Sequence, residues 1–138
     1  MDMWTAVQTC FEKYAEFNGR ARRSEYWWFW LFIAVCSILV GFVDDFVGTP
    51  IAGGVFALGT LMPCLAAGAR RLHDTNRSGW LLAVPLAPIL VAFAGFYLDS
   101  SAVTLVGSVL TLGALAMQVY WLAGDTNAEP NRFGPVPE

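Results

Sequence analysis

Charge is scarce in this chain, and positive charge is missing altogether from two of its connecting segments. Charged residues make up 14% of the sequence, against roughly 25% in a typical soluble domain. Lys13, Arg20, Arg22 and Arg23 lie near the start, Arg70, Arg71 and Arg77 in the middle, and Arg132 near the end. The two connections without Lys or Arg carry only Asp44 and Asp45, and Asp99, as charged residues. Cysteine is also sparse: Cys10, Cys36 and Cys64 are odd in number and far apart, which excludes a disulfide framework. One histidine, with no CxxC and no HExxH, leaves no ligand set for a transition metal, and no cofactor is expected. No Asp, Glu, Lys, Arg or His interrupts 26–43, 46–69, 78–98 or 100–124, so the usual machinery of an ion-coupled pump is missing from these stretches.

What remains is long and apolar. Each uncharged stretch approaches or exceeds the roughly 20 residues that cross a hydrocarbon core about 30 Å thick. Continuous apolarity favours helices, since a lipid-facing barrel needs short segments of alternating polarity. The chain therefore reads as a single all-α membrane domain over 1–138. Its four transmembrane helices, at 26–43, 51–69, 80–98 and 102–122, form two antiparallel hairpins. The segregated basic residues place both termini in the cytoplasm by the positive-inside bias. The first apolar run starts too late, and is too long, for a cleaved secretory signal.

Ahead of the first span, Trp4, Val7, Phe11 and Tyr14 recur at helical spacing, which predicts a short amphipathic cytoplasmic helix over 3–17. Asp2 is its N-cap and Asn18-Gly19 its stop, and a basic linker completes 1–25. Tyr26, Trp27, Trp28, Trp30, Trp80, Tyr120 and Trp121 gather at the basic ends of the spans as an interfacial belt. Gly53, Ala57, Thr60, Cys64 and Gly68 give the second span a close-packing face. Pro63, Pro85 and Pro88 predict kinks. Residues 123–138, rich in turn formers, read as an extended cytoplasmic tail.

Polar side chains concentrate in two segments, 19–25 and 70–80. Arg70 and Asp74 stand four apart, Arg71 and Asp74 three apart, and either pair has helical ion-pair spacing. His73 and Asp74 are neighbours about 100° apart on a helix, a poor acid/base pair, and no nucleophile accompanies them, so no enzyme is expected. Membrane retention alone would accept lysine, whereas the guanidinium fork suits phosphate or carboxylate. Arg20, Arg22, Arg23, Arg70, Arg71, His73, Asp74, Asn76 and Arg77 are accordingly the candidates for an anionic-ligand or headgroup site.

The segments Phe17-Asn18-Gly19-Arg20-Ala21-Arg22-Arg23-Ser24-Glu25-Tyr26-Trp27 and Arg70-Arg71-Leu72-His73-Asp74-Thr75-Asn76-Arg77-Ser78-Gly79-Trp80 resemble the signatures of the "domain of unknown function 805" family, and Asn131-Arg132-Phe133-Gly134-Pro135-Val136-Pro137 is similar to its ending. The resemblance implies a small multi-pass protein of the bacterial inner (plasma) membrane and names no activity. Residues and resemblance together predict a non-enzymatic protein whose arginine-rich cap binds anionic lipid headgroups or a partner protein, with no nucleic acid involved. The alternative is a small transporter or channel subunit acting as an oligomer.

Overall fold

The computed structural model describes residues 1–137, so Glu138, the last residue of the expected tail, lies outside the described residues. The chain forms α1 (Met3–Glu12), α2 (Arg23–Val47), α3 (Ile51–Asp74), a 3-10 turn (Gly79–Ala83), α4 (Leu86–Tyr97) and α5 (Ser101–Ala123). Arg23–Val47, Ile51–Asp74, Gly79–Tyr97 and Ser101–Ala123 are each long and apolar enough to cross a membrane. Their side chains face outward: Phe46 is 91% exposed, Leu58 73% and Phe96 74%. In a bilayer that surface is solvated by lipid, and the helices need little mutual burial to remain in place.

α2 and α3 run past the expected 26–43 and 51–69, since helix continues into the polar flanks wherever side chains there find partners. At the connection between α2 and α3, Gly48 closes α2 in the left-handed region at φ 76°. The Asp44 carboxylate reaches over the turn to accept from Ala52 N at 2.9 Å and Gly53 N at 2.8 Å, capping α3 where Pro50 offers no side-chain cap. Gly53 leaves the space for this, because a Cβ there would stand 2.6 Å from the Asp44 oxygen.

α1 stops at Glu12, earlier than the 3–17 expected. The Arg70 guanidinium lies 3.3 Å from both the Lys13 and Glu16 carbonyls and so takes up acceptors that a longer helix would use internally. The Tyr14 hydroxyl then donates to Gly59 O at 2.6 Å. Pro63 lies within α3 and has no N–H for the carbonyl four residues earlier, which is that of Gly59, so Tyr14 replaces the missing bond. The third span is broken rather than gently kinked: its 3-10 turn ends before Pro85, and α4 starts after it. The tightest helix contact joins α4 to α5, where a Cβ on Gly95 would overlap the Thr104 backbone and one on Gly107 that of Ala92. On α3, Gly68 instead makes room for Leu82, while Gly54 and Gly59 face open space.

Candidate functional site

Six buried polar or charged residues stand out, and Arg20, Glu25, Arg70, Arg71 and Asp74 among them gather at one end of the molecule. Arg70 and Arg71 are adjacent on α3, so their side chains leave the helix about 100° apart and reach different elements. Arg70 turns toward α1 and α2. There it pairs with Glu25 at 3.2 Å and meets the carbonyls that end α1. Arg71 turns toward α5, donating from Nε to Leu122 O at 2.9 Å and from its fork to Gly124 O and Asp74. Both cations thus sit against helix C-termini, where unpaired carbonyls and the helix dipole favour positive charge.

Arg20 enters from the linker. Its Nε lies 3.0 Å from Asp74 Oδ1, while its other nitrogens take Glu129 O at 2.9 Å and Asn127 O at 2.6 Å. Each Asp74 oxygen therefore serves a different arginine. The expected Arg71–Asp74 pair forms. The Arg70–Asp74 alternative does not, because both carboxylate oxygens are occupied and Glu25 stands on the side Arg70 faces. Three cations meet two carboxylates, and backbone carbonyls absorb the excess positive charge. Among the described residues Arg70 Nε is buried without a partner.

The tail is folded, not extended. Beyond the Arg20 contacts, Asn131 and Gly134 bridge to each other, Asn131 Nδ2 donates to His73 O at 2.9 Å, and Arg22 Nε donates to Pro137 O at 2.9 Å. Phe133 stacks on His73 with centroids 3.9 Å apart and planes 5° from parallel. A guanidinium taken out of water needs acceptors for its N–H groups, and for Arg20 the tail supplies the Asn127 and Glu129 carbonyls.

The nine expected site residues thus divide. Arg20, Arg70, Arg71 and Asp74 form the buried core of the cap, and His73 is half-buried under Phe133. Asn76 adopts φ 58° in the turn after α3, where its carbonyl accepts from Arg132 at 3.4 Å. Arg77 lies 5.9 Å from the Trp121 ring centre. Asn76, Arg22 and Arg23 are exposed, the two arginines on the rim of a cleft of about 750 Å³ that also includes Ser24, Trp27 and Thr126. Arg23 contacts Asp125 at 3.6 Å across open solvent, a pair of small energetic weight. Sequence reasoning missed Glu25, whose only signal was an acidic residue amid arginines at the start of an apolar run. It also missed the tail carbonyls, which no side-chain pattern announces.

Comparison with known proteins agrees with this architecture. Inner membrane protein YhaH of Escherichia coli K12 is 32% identical over 133 residues, covering 92% of this chain and 91% of that protein. Inner membrane protein YhaI of the same organism is 42% identical over 74 residues, covering 51% of this chain and 63% of that protein. No solved structure matches. The family model described as "Protein of unknown function (DUF805)" matches residues 14–135, which span both arginine segments and the folded tail; the chain belongs to that family and is a polytopic inner-membrane protein.

Proposed function

We propose that the protein is non-enzymatic, with both termini in the cytoplasm and its spans in two antiparallel hairpins, and that its arginine cap engages anionic lipid headgroups. In this reading α1 is an amphipathic helix lying along the cap at the inner face. The carrying observation is the division of labour among the arginines. Arg20, Arg70 and Arg71 are spent on internal carbonyls and carboxylates, whereas Arg22 and Arg23 rim an open cleft beside Trp27. Arg22 commits only its Nε to the tail, so its terminal nitrogens stay available, and the weak Arg23–Asp125 pair exchanges readily for a phosphate.

Native mass spectrometry of the protein extracted from vesicles containing phosphatidylglycerol tests this. Changing Arg22 and Arg23 together to lysine keeps the charge and removes the fork. The double variant should fold and insert but retain less anionic lipid. Equal retention by both proteins would leave these arginines with no role beyond charge.

A further inference from the structure

A second cleft, of about 630 Å³, opens on another side of the cap, between α3 and the broken third span. Leu65, Ala69, Leu82, Ala83 and Leu86 form its apolar walls, and Asn18, His73 and Ser78 stand at its polar end. The edges face the surroundings, with Trp80 87% and Leu86 57% exposed. The cleft lies beside the 3-10 turn, which packs on α3 through Gly68–Leu82 and Gly79–Ala69 ahead of the break at Pro85.

At the polar end, His73 Nδ1 lies 3.2 Å from Gly19 O, and a carbonyl only accepts, so Nδ1 carries the proton. In the neutral ring Nε2 is then an acceptor. It lies 3.3 Å from where a Gly79 Cβ would stand, and both residues line the cleft. The stack on Phe133 fixes the ring plane. Among the described residues the Asn18 and Ser78 side chains make no hydrogen bond with the protein. The polar end thus offers one fixed acceptor and two side chains able to donate, while the rest of the cleft is hydrocarbon. Its volume equals the share of roughly 20 liquid waters, and the apolar walls have no bonds to give them. At this depth in a bilayer the abundant apolar material is the lipid chain.

We propose that this cleft is a specific phospholipid site: it holds one acyl chain of a glycerophospholipid with a hydroxyl-bearing head. The hydroxyl donates to His73 Nε2, and the ester carbonyls accept from Asn18 and Ser78. The site needs no arginine, so it is independent of the Arg22/Arg23 cleft and stands or falls apart from it.

The test reconstitutes the full chain with phosphatidylglycerol bearing a photoactivatable diazirine on one acyl chain, or with phosphatidylcholine bearing the same chain, and maps the labelled peptides after illumination. Label from phosphatidylglycerol should concentrate several-fold on 79–86 and 65–69 relative to lipid-facing α5. Phosphatidylcholine, whose head has no hydrogen-bond donor, should label them less. Filling the cleft by Ala83→Trp, at an exposed position, should remove the excess and leave α5 labelling unchanged. His73→Phe, which keeps a ring beside Phe133 but removes Nε2, should make the two lipids equivalent. The Arg22/Arg23 lysine variant should label the cleft normally. Uniform labelling around all spans of the unaltered protein would overturn the site without reliance on any variant. Loss of the signal as protein is concentrated in the vesicles would also overturn it, by assigning the cleft to a second copy of the chain.

Discussion

Asp74 is the residue on which the cap turns, since its two oxygens hold arginines from the linker and from its own helix. Asp74→Asn keeps the shape but removes the charge and sets an amide N–H₂ against a guanidinium. Breaking a buried pair in this way costs about 3–5 kcal/mol. Thermal unfolding in detergent should show a large fall in midpoint, where the exposed Asp125→Asn leaves it nearly unchanged. Arg20→Lys separates charge from geometry at the same spot. An ammonium can approach Asp74 but cannot also span the Asn127 and Glu129 carbonyls, so amide exchange in 125–135 should accelerate while the spans stay protected. Cys10 reports on the same core from the α1 side. Burial, reinforced by the nearby Glu25 carboxylate, pushes its thiol up to about 12. At pH 8 it carries essentially no thiolate, and a maleimide reagent should modify it only after unfolding.

The helices show which features a local pattern can announce. Four spans follow from apolar runs alone, whereas Pro85 announced only a kink where the third span breaks. The boundaries did not follow, because α2 and α3 extend into polar residues stabilised by partners far away in sequence, such as Glu25 for Arg70. Asp44 was legible only as a connection residue, since its role depends on a turn that returns it to the start of α3. The close α4–α5 approach is invisible in the same way: Gly95 and Gly107 lie on separate helices and matter only as a pair. Gly107→Leu should therefore separate those helices and lower stability by roughly 1–3 kcal/mol through overpacking, whereas Gly113→Leu, facing open space, should be neutral. Tyr14 and Pro63 form a second non-local pair. Tyr14→Phe should destabilise the native sequence by about 1 kcal/mol and have much less effect in a Pro63→Ala background, because a helical alanine at that position would itself donate to Gly59 O. A double-mutant cycle measures the coupling.

At the scale of the whole molecule, the segregated arginines set one end apart from the other, and by the positive-inside bias they predict an orientation. Single cysteines at Asp45 and Ser101, in a background lacking the native three, should react with an impermeant thiol reagent from outside the cell, while one at Asn76 should not. The opposite pattern would reverse the molecule in the membrane. Nine candidate residues were legible as a polar cluster, but their division into buried core and exposed rim was not, because it rests on carbonyls of a tail that reads as formless. That tail carries a consequence for biogenesis. Residues 127–137 leave the ribosome after the four spans described here, so Arg20 waits through the making of more than a hundred residues for the Asn127 and Glu129 carbonyls. Until then Arg20 lacks two of its acceptors, so the buried cap closes only after the four spans have been made.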